Sequence, residues 1–87
     1  MEKLKVLIAD DNPRMSSALE EVLKSDSDIE VVGKAEDGLE TLHMIDETEP
    51  DLLLLDLIMP KLDGLGVLET LHRGDGGRKR PEVIVIS

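Results

Sequence analysis

Short apolar runs alternate along this chain with longer stretches in which apolar residues recur at helical spacing. The short runs predict β-strands buried on both faces, and the longer stretches predict amphipathic helices. The four predicted strands are residues 4–9, 29–35, 52–55 and 82–86. The three predicted helices begin near Pro13, Gly38 and Gly64. This order of elements predicts an α/β fold in which right-handed helical crossovers join parallel strands.

Each predicted helix carries one apolar face that we expect to pack on the sheet. The residues expected on these faces are Met15, Ala18, Leu19, Val22 and Leu23 in the first helix, Leu39, Leu42 and Ile45 in the second, and Val67, Leu68 and Leu71 in the third. Asn12 and Pro13 predict a helix start, since asparagine caps unpaired backbone amides and proline suits the first helical position.

The composition limits both the core and the partners. A chain of 87 residues is expected to form one domain, 1–87, that buries roughly 60% of its unfolded surface. Phe, Tyr and Trp are absent, so aliphatic residues must fill the core, and the stacking platforms of single-strand nucleic-acid binders are missing. A net charge of −10 opposes direct binding to nucleic acid or to an anionic membrane. It favours a cation or a partner with a basic surface.

The sequence also carries no sign of an oxidising or membrane environment. It has no cysteine, which excludes disulfides and thiolate metal sites. Neither a signal-peptide pattern nor an apolar segment of 18 residues occurs. We therefore expect a cytoplasmic location and no contact with a membrane.

Aspartates follow two of the predicted strands at the same edge of the sheet. The four leucines at 52–55 lead to Asp56, and the first strand leads to Asp10 and Asp11. Open α/β sheets place ligands at the carboxyl ends of their strands, so these carboxylates are expected to form one acidic pocket. Such a pocket needs a cation, because clustered carboxylates do not all ionise cheaply without one. Carboxylate oxygens favour Mg²⁺, although Ca²⁺ or Mn²⁺ could take its place.

With a cation in this pocket, Asp56 could attack a phosphoryl group and form an acyl phosphate. Ser87 follows the fourth predicted strand, and its hydroxyl could donate to a phosphoryl oxygen. A single aspartate at a strand end is more often a turn or capping residue. Three of them at the same edge make a reactive site the better interpretation.

The motifs at these strand ends resemble the receiver domain of two-component response regulators, and the resemblance covers essentially the whole chain. The segments that carry it are residues 6–12, 51–60, 63–64 and 83–87. It implies a three-layer, flavodoxin-like parallel sheet and a signalling module rather than an enzyme. A phosphohistidine on a histidine kinase or histidine phosphotransferase would donate its phosphoryl group to Asp56 with Mg²⁺ present.

The same resemblance implies a role for each residue of the pocket. Asp11 would bind the metal directly, and Asp10 would bind it largely through water. The backbone carbonyl of Ile58 would be a further metal ligand, beside Asp56 itself. Ser87 matches the hydroxyl residue that contacts the phosphoryl group and whose reorientation reports phosphorylation.

Two parts of the receiver pattern are missing from the sequence. Receivers have a fifth strand, which ends in a lysine that contacts the phosphoryl group, and two last helices. The chain is therefore expected to be the N-terminal part of a receiver, with its sheet truncated after the fourth strand. An uncovered apolar strand invites pairing with another chain, so a homodimer or an exchange of elements is expected.

A finer resemblance concerns the output of the signal. Residues 1–6 and 55–65 are most similar to stage-zero sporulation regulators of endospore-forming bacteria, which join a receiver to a DNA-binding domain. Transcription would then be controlled by a part that this sequence lacks. Two alternatives stay open: a binding-only receiver that is never phosphorylated, and a Mg²⁺-dependent phosphatase with an aspartate nucleophile. Phosphatases of the haloacid-dehalogenase type have a second acid two residues after the nucleophile, where this chain has Ile58.

Overall fold

The computed structural model describes residues 2–61, 63–73 and 80–86. The predicted α/β order is confirmed, with three helices between four strands. The elements are β1 (Leu4–Ala9), α1 (Pro13–Lys24), β2 (Ile29–Ala35), α2 (Gly38–Thr48), β3 (Leu52–Leu55), α3 (Gly64–Arg73) and β4 (Glu82–Val85). Within the described residues, no helix is both long and apolar enough to cross a lipid bilayer.

The four strands form one parallel sheet in the order β2-β1-β3-β4. β1 therefore lies between β2 and β3, and Ala9 at its carboxyl end pairs with Ala35 on one side and Leu55 on the other. The register of β1 and β2 shifts where Val32 forms a one-residue bulge. Because β1 and β3 are neighbours, the residues that follow them leave the sheet side by side.

Helices cover both faces of the sheet, which gives the three-layer, flavodoxin-like arrangement. The cluster under α2 and α3 contains Leu7, Ala9, Ala35, Ile45, Leu53, Leu55, Met59, Val67 and Leu71. The cluster on the opposite face contains Val6, Ile8 and Leu54, with Leu19 and Leu23 of α1 packed against it. The alternating side chains of β1 and β3 are buried on both faces, which explains why these strands are almost wholly apolar.

The apolar face predicted for α1 is only partly correct. Leu19 and Leu23 are half-buried, but Met15 and Val22 are 48% and 69% exposed, and Ala18 is also exposed. The buried position in the first turn is Ser16, which is 6% exposed and whose hydroxyl donates to the Pro13 carbonyl. The helix is thus rotated so that a narrower stripe, through positions 16, 19 and 23, faces the sheet.

A similar correction applies to α2. Ile45 is buried and Leu42 is half-buried as predicted, but Leu39 is 57% exposed. Gly38 and Thr41 are buried instead, and the Thr41 hydroxyl donates to the Asp37 carbonyl at 2.7 Å. A polar side chain that bonds within its own helix can face the core, so Leu39 lies at the side of the helix.

Candidate functional site

Asp10, Asp11 and Asp56 lie together at the carboxyl edge of the sheet. One carboxylate oxygen from each residue lies within 4.8 Å of the others. Asp10 and Asp56 are buried, at 4% and 7% exposed, whereas Asp11 is exposed. The neighbouring strands bring them together, because the Asp10 amide still donates to Ala35 of β2 and the Asp56 amide to Ala9 of β1. The three aspartates predicted to form one pocket therefore lie together.

Each buried carboxylate is oriented by a backbone amide two residues further along the chain. The Asn12 amide donates to Asp10 Oδ1 at 2.9 Å, and the Ile58 amide donates to Asp56 Oδ1 at 2.9 Å. These are Asx turns, in which a short acidic side chain closes a turn of the backbone. The two turns hold the side chains of Asp10 and Asp56 in defined orientations at the edge of the sheet.

Helix α1 begins immediately after the aspartate pair. The Asn12 side chain accepts from the amides of Arg14 and Met15 at 3.0 and 3.4 Å, and Pro13 occupies the first turn. This confirms the predicted helix start, and a cap of this kind contributes about 1 kcal/mol to stability. The positive end of the helix dipole is therefore close to the acidic residues and favours negative charge there.

The crowding of the carboxylates changes the titration of Asp10. Burial raises the pKa of Asp10, and the nearby charges of Asp56 and Asp11 raise it further. The hydrogen bond from the Asn12 amide opposes this rise in pKa only in part. Removing carboxylates from water and placing them side by side disfavours their ionised forms, which a divalent cation would favour.

The donor set fits Mg²⁺. It consists of carboxylate oxygens only, which are hard ligands, and one of the three residues is exposed. Mg²⁺ keeps several waters and is commonly held by one or two carboxylates, so an open acidic edge suits it better than a closed protein cage. Ca²⁺ and Mn²⁺ prefer oxygen ligands as well, so the donor set admits them too.

Of the other two predicted site residues, the structure describes Ile58. The Ile58 side chain is 79% exposed at the rim of the site, and its amide bonds to Asp56. Ser87 lies outside the described residues, so the contact predicted between its hydroxyl and a phosphoryl oxygen stays a prediction.

One contact at this edge was not predicted. Lys61 Nζ lies 3.5 Å from Asp37 Oδ2, and Lys61 has a left-handed backbone with φ of 67°. Asp37 also caps α2 by accepting from the Glu40 amide at 2.8 Å. That hydrogen bond and the charge of Lys61 lower the pKa of Asp37. The pair joins the loop after Asp56 to the start of α2.

Comparison with known proteins identifies the family. The sequence profile of the response regulator receiver domain matches residues 6–87. This chain belongs to the receiver domain family. Receiver domains are the signalling modules of two-component systems, so the chain is a response regulator receiver, in agreement with the motifs at its strand ends.

Solved receiver structures have the same fold as this chain. The response regulator domain of Thermotoga maritima CheB is 32% identical, with a TM-score of 0.86 over 97% of this chain and 60% of that one. The receiver of the putative regulator NarL from Mycobacterium tuberculosis is also 32% identical, with a TM-score of 0.89 over 100% of this chain and 68% of that one.

The response regulator RcsB of Salmonella typhimurium is 27% identical, with a TM-score of 0.83 over 98% of this chain and 42% of that one. The receiver described here thus spans about 60% of the CheB domain and less than half of RcsB.

Proposed function

We propose that this receiver accepts a phosphoryl group on Asp56 from a phosphohistidine, carried by a histidine kinase or a histidine phosphotransferase. The observation that carries the proposal is the buried carboxylate of Asp56 beside two other aspartates at the sheet edge. A carboxylate oxygen of Asp56 donates an electron pair to phosphorus while the phosphorus–nitrogen bond breaks. The imidazole nitrogen keeps the electron pair of that bond, and an acyl phosphate forms on Asp56.

The remaining residues of the site act by position and charge. Asp10, Asp11 and Asp56 would hold Mg²⁺. By the resemblance to receivers, Asp11 would bind it directly, Asp10 largely through water, and the Ile58 carbonyl would be a further ligand. Mg²⁺ held there would neutralise charge on the incoming phosphoryl group. The Ile58 amide holds Asp56 Oδ1 and so orients the nucleophile. Ser87 contacts the phosphoryl group through its hydroxyl and reports its presence.

The output is proposed to be control of transcription by a DNA-binding part of the same regulator. This receiver is similar to RcsB, for which a complex with DNA is known, and that protein is more than twice as long as the similar region. The similarity of residues 55–65 to stage-zero regulators supports sporulation as the controlled process in a cytoplasmic phosphorelay. Normal sporulation in a strain that lacks the gene would assign the output to another process.

The first experiment is intact-mass measurement after incubation with acetyl phosphate or another small phosphodonor. We expect one phosphoryl adduct when Mg²⁺ is present and none when a chelator is added, because charge neutralisation is required for transfer. The adduct should be lost in mild acid or base, as an acyl phosphate is. A receiver that binds Mg²⁺ and never forms the adduct would instead be a binding-only module, and steady release of phosphate from phosphoesters would favour a phosphatase.

A further inference from the structure

The loop between β3 and α3 carries the groups on which the proposed function depends. It begins at Asp56 and includes Ile58, whose carbonyl is a proposed metal ligand. Among its described side chains, Met59 is buried in the core and Leu57 packs against it, whereas Ile58 is 79% exposed. A site that needs carboxylate and carbonyl oxygens in defined places requires further support for the backbone of this loop.

Gly64, the first residue of α3, supplies such support through its backbone. Its amide donates to the Leu57 carbonyl at 2.9 Å, which closes the loop directly behind Asp56. Gly64 is itself buried. The start of α3 therefore lies directly on the peptide units of Asp56 and Leu57, one residue before the Ile58 carbonyl.

This approach is possible because Gly64 has no side chain. A Cβ at this position would lie 2.6 Å from the Asp56 carbonyl oxygen, closer still to the Leu57 Cα, and 3.0 Å from Leu57 Cδ2. Two of these three atoms belong to the backbone, so rotation of a side chain does not relieve the contact. Either the start of α3 or the peptide units of Asp56 and Leu57 would have to move.

Gly33 in β2 shows the opposite situation. A Cβ there would lie 3.1 Å from Met44 Sδ and 3.2 Å from Leu7 Cδ1, and both atoms are at the ends of flexible side chains. An alanine at Gly33 is therefore accommodated by small side-chain shifts far from the loop. The two glycines offer the same chemical substitution with different consequences for Asp56.

We propose that Gly64 is a positioning residue for the phosphorylation site, which acts by holding the Asp56 and Leu57 peptide units so that the Asp56 carboxylate and the Ile58 carbonyl face one cation. This inference rests on the proposed function. A Cβ at this position should therefore affect Mg²⁺ affinity more than the free energy of unfolding, because the atoms that it would displace belong to the site itself.

The experiment compares Gly64→Ala, Gly33→Ala and the parent protein by calorimetric titration with Mg²⁺ and by urea unfolding followed by circular dichroism. We expect Gly64→Ala to lose about 10- to 100-fold in Mg²⁺ affinity, the range found when groups that orient metal ligands are removed. Gly33→Ala should bind Mg²⁺ as the parent does. The double variant Gly64→Ala/Leu57→Ala should not recover, because it relieves only the side-chain contact.

Three outcomes would overturn the inference. The first is a Gly64→Ala variant that binds Mg²⁺ as tightly as the parent does. In that case a phosphoryl adduct on the parent would still support the proposed function. Absence of Mg²⁺ binding by the parent would overturn both. If Gly64→Ala does not fold, hydrogen exchange of the Gly64 amide is measured in the parent instead. Slow exchange that Mg²⁺ slows further supports the inference. Exchange as fast as in an unstructured chain is the third outcome that overturns it.

Discussion

Asp56→Asn is expected to abolish the phosphoryl adduct completely while leaving the fold intact. An amide oxygen is a far weaker nucleophile than a carboxylate and forms no acyl phosphate. Asparagine has nearly the same shape, and its Oδ1 can still accept the hydrogen bond that the Ile58 amide makes to Asp56. The variant should therefore keep the circular dichroism spectrum of the parent. Intact-mass measurement with a small phosphodonor and Mg²⁺ is the readout.

Asp28→Asn provides the matched control for this substitution. It removes the same charge from an exposed residue just before β2, at the end of the sheet opposite to Asp56. We expect Asp28→Asn to form the adduct at the parental rate. An adduct of equal yield on Asp56→Asn would show that another residue accepts the phosphoryl group, and the role proposed for Asp56 would be wrong.

The fold and the acidic cluster could be predicted because both follow from rules that operate over short distances in the sequence. Strands buried on both faces are continuous apolar runs, and the leucines of β3 are the clearest example. Parallel strands present their carboxyl ends at one edge, so the sequence alone predicts that Asp10, Asp11 and Asp56 lie together, as they do in the structure. No tertiary detail was needed for either inference.

The burial of α1 could not be predicted to the same accuracy. Met15, Val22, Leu19 and Leu23 all have helical spacing, and the pattern leaves open which part of this wide stripe contacts the sheet. The answer depends on how the helix rotates as it packs on β1 and β2, and Ser16 takes a buried position because its hydroxyl is satisfied within the helix. Hydrophobic spacing carries no information about that rotation.

Two features at the site depend wholly on the three-dimensional path of the loop after Asp56. The contact between Lys61 and Asp37 joins residues of different elements, and it requires a left-handed backbone at a lysine. The tight approach of Gly64 to Asp56 is likewise invisible in the sequence, where an aspartate followed by glycine is an ordinary turn signal. Both concern how the site is held in place, whereas the sequence indicated which groups it contains.

Asp10→Asn is expected to stabilise the protein without metal, whereas a substitution at a buried residue usually destabilises it. At neutral pH without metal, the variant should be more stable than the parent, because it removes a buried charge beside Asp56 and Asp11. Its Oδ1 can still accept from the Asn12 amide. With Mg²⁺ the parent should become the more stable protein. A ligand that binds only the folded state stabilises it by about 2.7 kcal/mol when the ligand concentration is 100 times its Kd. The parent should gain most of this stabilisation and the variant much less.

The pH dependence follows from the raised pKa of Asp10 in the folded protein. The stabilisation by protonated Asp10 is complete below the ordinary aspartate pKa of 3.8, and it is lost as the pH rises through the raised pKa. The advantage of Asp10→Asn should therefore be absent in acid and grow toward neutral pH in the presence of a chelator. Urea unfolding followed by circular dichroism measures it, since the chain has no Trp or Tyr for fluorescence.

Asp28→Asn again serves as the control, because it removes an exposed acid at the opposite end of the sheet and should leave the response to Mg²⁺ unchanged. Lower stability of Asp10→Asn than of the parent at neutral pH without metal would show that the Asp10 charge is satisfied inside the protein. Equal stabilisation of both proteins by Mg²⁺ would show that Asp10 does not contribute to the metal site. If Asp10→Asn is both more stable than the parent without metal and less stabilised by Mg²⁺, one cause explains both results. The crowding of the carboxylates then lowers stability without metal and creates the affinity for the cation.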